Sequence, residues 1–189
     1  MDNNIINLEF KKSGNVIYIK NKGLLLNIIP ECVFRTDGIN YLNTKTKMIN
    51  LIIDNNIEEH SKFKDIIEKI YNECSEHIVE EDRFEPDKII NPLKKVNDSI
   101  YTMQLFITNW NGENTVSFYD DDNKLIDIKN LEDKIFSIYP AINVEKISLN
   151  TNTNIAYVNI SLKEGIISDI QKKRLLDFKK YKTYIKNKN

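Results

Sequence analysis

Asn111-Gly112 constrains this chain more tightly than any other pair, because a two-residue hairpin turn needs positive φ at both central positions and few dipeptides tolerate it. The pair follows a run from Ile100 to Trp110 that is rich in aromatic and β-favouring types (Ile100, Tyr101, Phe106, Ile107, Trp110). Beyond it come a second strand-like segment at Thr115 to Tyr119, a polar break at Asp120 to Asn123 and a short third segment at Lys124 to Asp127. A helical turn is expected at Asn130 to Lys134, then two longer segments, Ile142 to Leu149 and Ile155 to Lys163, joined by Asn150 to Asn154. The stretch 99–163 therefore reads as three strands, a short helix and two more strands. That is the outline of an OB-like five-stranded antiparallel barrel, whose common ligands are oligonucleotides and oligosaccharides.

Alternation supports half-buried strands. Ala156, Val158, Ile160 and Leu162 fall on one face of the last segment, and Ile155, Tyr157, Asn159 and Ser161 on the other. Ile142, Val144 and Lys146 set against Asn143, Glu145 and Ile147 alternate less cleanly, so the facing of that segment stays open.

Upstream, residues 16–54 read as an N-terminal antiparallel sheet, and Met1 to Phe10 as a segment that frays or lies along an edge. Val16 to Lys20 and Gly23 to Ile29 form a hairpin around Asn21-Lys22, and Pro30, with no amide to donate, ends the second strand. Asp37-Gly38 marks a turn, and Lys47 to Asp54, apolar on both faces, reads as a central strand. From Asn56 to Glu80, Phe63, Ile66, Ile67, Ile70, Tyr71, Cys74 and Ile78 recur at helical spacing, with Glu58 and Glu59 at the positive end of the dipole. The segment from Glu80 to Asp98, with Pro86 and Pro92, is expected to be a long surface loop. Ser168 and Gln171 fit a capping box that would open a basic C-terminal helix over 168–189. The whole is expected to be one α+β domain, mainly β, spanning 1–189.

Hydrophobic residues at 41% and charged residues at 29% describe an ordinary globular chain with a core. The net charge of −1 hides an asymmetry: Lys172, Lys173, Arg174, Lys179, Lys180, Lys182, Lys186 and Lys188 face one acid, Asp177, after Gln171. That segment is either an interaction tail for a polyanion or a solvated helix with a basic face. Cys32 and Cys74 form no C-x-x-C pair, and no apolar run approaches the length of a membrane span, which points to free thiols in a reducing compartment and no membrane partner.

No catalytic residue set is visible. His60 and His77 lie too far apart on one helix to share a metal, and Asp120-Asp121-Asp122 fails as a calcium loop because Lys124 and Leu125 stand where an oxygen ligand and a glycine are needed. No cofactor is expected. Aromatic rings with lysines nearby suit single-stranded nucleic acid, DNA or RNA, since a base stacks on any aromatic face and charge neutralises the backbone. The candidates are Trp110, Tyr101, Phe106, Tyr119 and Tyr157 for stacking, with Lys146, Lys163, Lys172, Lys173, Arg174, Lys179 and Lys180 for charge; Trp110, beside the turn, is the best single choice. Any one of these rings could instead be a packing residue. The rival class is a virion structural or assembly protein that pairs with a protein partner through its sheet, recognised by an apolar patch without lysines.

Along the chain run Tyr18-Ile-Lys, Gly23-Leu-Leu-Leu, Pro30 and Gly38, a helix from Phe63 to Ile78, Tyr101-Thr-Met-Gln-Leu, Phe118-Tyr119-Asp120, Ile126-Asp127 with Leu131, Ile147-Ser-Leu149 and Val158-Asn-Ile-Ser-Leu-Lys163. In the order of these parts the chain resembles the single-stranded-DNA-binding proteins of nucleo-cytoplasmic large DNA viruses, akin to the OB-fold binder of T7-like phages. The likeness covers about Val16 to Gly165 and implies a non-enzymatic binder of single-stranded DNA serving replication, recombination or repair. It further implies residence in the host cytoplasm or viral factory, with a homo-oligomer or a replication protein as a further partner. One departure stands out: phage-type binders end in an acidic tail, whereas this chain ends in Lys179-Lys180-Tyr181-Lys182 and Lys186-Asn-Lys188.

Overall fold

The structure, a computed structural model, describes residues 7–42, 46–82, 84–110 and 113–172. Strands β1 (Leu8–Ser13), β2 (Val16–Asn21) and β3 (Leu24–Ile28) form an antiparallel meander. Its second turn rests on Lys22 and Gly23, at φ of 52° and 76°, the left-handed region where a glycine carries no steric cost. Strands β4 (Phe34–Tyr41) and β5 (Lys47–Asp54) form the next antiparallel pair, and helix α1 (Glu58–Asp82) follows within two residues of the periodicity's bounds. Then come β6 (Ile89–Ile90), β7 (Leu93–Lys95) and β8 (Ile100–Ile107), and a hairpin of β9 (Asn109–Trp110) with β10 (Glu113–Asn114) flanking Asn111-Gly112. Short strands β11 (Ser117–Tyr119) and β12 (Leu125–Ile126) lead to the two longest, β13 (Lys134–Asn150) and β14 (Ile155–Lys172).

The pairings return to their start. β4 pairs with β5, β5 with β8, β8 with β14 and β14 with β13, and β13 meets β4 again at Ser137 opposite Arg35 and Ile138 opposite Phe34. All are antiparallel except β8 with β14. Inward-pointing side chains of every member are buried: Phe34 and Ile39; Ile49, Leu51 and Ile53; Met103, Leu105 and Ile107; Ile142, Val144 and, past a bulge that changes the parity, Ile147; Ala156, Val158, Ile160 and Leu162. Burial of this many aliphatic chains supplies the main driving force for the fold.

Helix α1 lies across the end of the ring where β4 begins and β5 ends. Phe63 packs on Phe34 with ring centroids 4.9 Å apart, and His60 stacks on the same ring at 4.6 Å. The His60 imidazole also ties the strands: its Nδ1 accepts from the Asp54 amide at 3.1 Å and its Nε2 donates to the Val33 carbonyl at 3.0 Å. Further along, His77 stacks on Phe10 of β1 at 4.1 Å, and the Tyr71 hydroxyl donates to the Ile89 carbonyl at 3.0 Å.

Several expectations are corrected here. The five segments within 99–163 do not close on one another. Only β8, β13 and β14 belong to the ring of pairings; β4 and β5 from the N-terminal stretch supply the other two members, and β11 and β12 lie beside β14 at the sheet's end. Asp37-Gly38 is not a turn but a bulge inside β4, where the register skips between Thr36 and Ile39 and Gly38 takes φ of 87°. The supposed loop 80–98 contains β6 and β7, which pair with β14 and β8. The helical turn falls at Ile128–Leu131, capped by the Asp127 carboxylate. Ser168 and Gln171 do not open a helix: both lie in β14, opposite Ser137 and Ile135, so the ladder satisfies the amides that a cap would have served. The rest of the expected C-terminal helix, 173–189, lies outside the described residues.

Candidate functional site

Strand β14 is the axis of the candidate site. Its inward residues are core, so Tyr157, Asn159, Ser161 and Lys163 fall on the other face in one line, about 6.6 Å apart, with Ser161 itself covered and only 5% exposed. On the β13 side, Ser148 lies opposite Tyr157, Lys146 opposite Asn159 and Asn143 opposite Ser161. Lys146 in turn lies opposite Tyr18 of β2, and Tyr18 opposite Lys11 of β1. Lys11, Tyr18, Lys146 and Asn159 thus form a row across four strands on the outward face. On the other side of β14, Phe106 of β8 lies beside Ser161 and Ile90 of β6 beside Tyr157.

Two bulges shape this surface. Between Val144 and Lys146 the register with β14 skips, which turns Glu145 and Lys146 both outward and explains the broken alternation of that segment. Glu145 accepts from the Ser161 hydroxyl at 2.7 Å, so its charge is held against β14 beside Lys146. Between Ala141 and Ile142 a second skip leaves Lys163 and Glu164 both exposed. Asn159 is fixed by its amide, which donates to the Ser148 hydroxyl at 2.8 Å. Tyr18 and Tyr157 remain 45% and 42% exposed. These rings are available for stacking, one directly beside Lys146 and the other diagonal to it.

The structure brings together Tyr157, Lys146, Lys163 and Phe106 from the expected residues, Phe106 being half-buried on the outward face of β8. Others go elsewhere. Tyr101 is turned inward with Met103 and Leu105, packs against the core, and carries the Lys64 ammonium 5.2 Å from its ring centroid, so it is no open platform. Tyr119 points outward but at the far end of β14, in an apolar row with Leu125, Ile166 and Tyr139 and without lysines. Lys172 is exposed where β14 stops, opposite Lys134. The side chain of Trp110, and Lys173, Arg174, Lys179 and Lys180, lie outside the described residues.

Sequence reasoning missed Tyr18 and Lys11. The signal was the alternation Ile17-Tyr18-Ile19-Lys20, which puts the isoleucines in the core and the tyrosine and lysine outside. A third exposed tyrosine, Tyr41, is engaged at the opposite end of the ring: its hydroxyl donates to Glu132, which also binds Lys47 at 3.2 Å.

No family model matches the chain, and no curated protein matches it. Solved structures do. The crystal structure of a single-stranded DNA binding protein encoded by bacteriophage T7 superposes with a TM-score of 0.52 at 14% identity, covering 78% of this chain and 88% of that one. The single-stranded DNA-binding protein of bacteriophage Enc34 gives 0.51 at 11% identity, covering 89% and 94%. The same protein in complex with ssDNA gives 0.50 at 10% identity, covering 89% and 98%. What the chain shares with these phage proteins is the fold, mostly β with one long helix.

Proposed function

We propose that this chain is a non-enzymatic binder of single-stranded DNA whose interface is the outward face of β14 with its neighbours β13, β2 and β8. The ring of five pairings is read as an OB-like barrel in a single domain, with α1 as the plug at one end. The observation that carries the reading is the placement of Tyr18 and Tyr157, both exposed, around Lys146 on one face of a fold shared with single-stranded DNA binders. Bases stack on the two rings and on the edge of Phe106, while Lys11, Lys146 and Lys163 neutralise phosphates on either side. Neither element reads base identity, so binding is without strong sequence preference. Asn159 and Ser148 lie between the rings and lysines as polar contacts for sugar or phosphate.

Such a binder would protect unpaired strands during viral DNA replication, recombination or repair, in the host cytoplasm or a viral factory. Filter binding of labelled oligo-dT at low and high salt tests the reading. Retention that falls steeply with salt, and exceeds that of a duplex of equal length, supports it; no retention at micromolar protein ends it.

A further inference from the structure

A carboxylate stands in the middle of a face read as a seat for phosphates. The register skip between Val144 and Lys146 inserts one extra residue into β13 and turns Glu145 toward Ser161 of β14. One Glu145 oxygen, Oε1, accepts from the Ser161 hydroxyl at 2.7 Å; the other has neither a hydrogen bond nor an ion pair among the described residues. Ser161 lies beside Phe106 of β8 on the same face, so the carboxylate sits above a residue only one strand spacing, about 4.8 Å, from the Phe106 backbone. Lys146 follows Glu145 in β13, and Lys163 stands two residues beyond Ser161.

On the single-stranded DNA reading above, we infer that Glu145 sets which bases this face accepts: it favours those with an amino group on the edge turned toward it, cytosine, adenine and guanine, over thymine and uracil. An ionised carboxylate only accepts hydrogen bonds. A base lying against Phe106 can satisfy it with an amino group, as cytosine does through N4. Thymine and uracil turn two carbonyl oxygens toward it with a single N–H between them, and the charge repels those oxygens. Phosphates are repelled as well, which leaves the backbone to Lys146 and Lys163 and points the bases at Phe106. Ser161 is the positioning residue, since its buried hydroxyl holds the carboxylate against β14. Rings and lysines stay indifferent to base identity, so the outcome is a bias by composition and not a sequence motif.

Fluorescence anisotropy on the full chain, at a mildly alkaline pH where oligo-dC stays unpaired, compares labelled oligo-dC with oligo-dU of equal length. The two pyrimidines stack alike and differ in what they present at N3 and C4. The wild type is expected to bind oligo-dC about fivefold more tightly. E145Q removes the charge and adds a donor, so oligo-dU should bind more tightly than to the wild type and the ratio should fall to about one. S161A keeps the charge but releases the side chain, and should lower the ratio while affinity for oligo-dU changes little. Equal affinities in the wild type overturn the inference, and so does a ratio that survives E145Q: equal gains for both oligonucleotides would mean that the charge merely repels phosphate. A ratio that survives S161A overturns the positioning role of Ser161. Failure to bind either oligonucleotide defeats the single-strand reading and this inference with it, whereas the other outcomes leave that reading standing.

Discussion

The hydroxyl of Thr36 donates to the carbonyl of Phe136, 3.0 Å away and 100 residues further along the chain. The same oxygen accepts the Gly38 amide at 3.1 Å, so one buried hydroxyl both secures β4 to β13 and holds the bulge that lets β4 reach it. Thr36→Val keeps the shape and removes both bonds, leaving a buried amide and carbonyl underserved. The expected cost is about 2 kcal/mol, read as a lower urea midpoint with an unchanged slope.

Gly38 faces the backbone of β13 at the same seam. A methyl there would drive into the Lys134 carbonyl, and its φ of 87° already disfavours any other residue. Gly38→Ala should destabilise by more than about 3 kcal/mol or abolish soluble expression. Gly23→Ala is the control, because its φ of 76° is similar but nothing lies within 4 Å of the added carbon. That change should cost only about 1 kcal/mol.

If Tyr18 and Tyr157 carry stacked bases, replacing either by alanine should weaken oligo-dT binding by about 1 to 3 kcal/mol with little change in melting temperature, since both are exposed strand residues. Tyr101→Ala should do the opposite. It opens a gap beneath Lys64 and lowers stability while leaving affinity for folded protein near wild type.

Lys146→Ala should lower the slope of log affinity against log salt by about 0.7, the share of one phosphate contact on a single strand. Lys64→Ala supplies the comparison: that ammonium is engaged by Glu68 at 2.8 Å on α1, away from the outward face of β14, and its loss should leave the slope unchanged.

The two thiols give a readout of folding. Burial pushes the Cys74 thiol up to about 12, and burial with the charges of Glu59 and Glu31 pushes Cys32 up to about 11. Both should react slowly with a disulfide reagent at mildly alkaline pH, Cys32 ahead of the fully buried Cys74, and both should react at the ordinary rate in denaturant. The fold favours the neutral thiol. Its contribution is therefore complete below the ordinary value of 9.0 and is lost as pH climbs from there toward about 11 and about 12, measurable as a falling denaturation midpoint in that window.

What could be read from the chain alone was local. The stripe of α1 and the alternation of β14 each lie within one element; the stripe marks the buried side of the helix, and the alternation separates buried Ala156, Val158, Ile160 and Leu162 from exposed Tyr157, although Ser161 on Tyr157's face is covered. Membership of the ring was not legible, because the pairings of β4 with β13 and of β8 with β14 join segments far apart in sequence, and no local pattern names a distant partner. Tyr101 and Phe106 illustrate the limit: β8 bears large apolar residues on both faces, so sequence could not say which ring points out. Lys146 was among the expected contacts, but the bulge beside it hid which way it faces. Ser168 and Gln171 misled because a capping signature is spaced like a helix start but does not compete with a seventeen-residue neighbour such as β13.

Strand β14 touches β13 along one side and β6, β8 and β11 in succession along the other. It is also the last described strand to leave the ribosome. A nascent chain that has reached Asn150 can already pair β13 with β2, β3 and β4 and β8 with β5, but the edges of β8 and β13 that β14 joins, and the apolar faces behind them, stand open. Completion then comes in one step when the final strand slots in, so truncation or stalling anywhere in 151–172 should yield an aggregation-prone fragment rather than a weakened but recognisable protein.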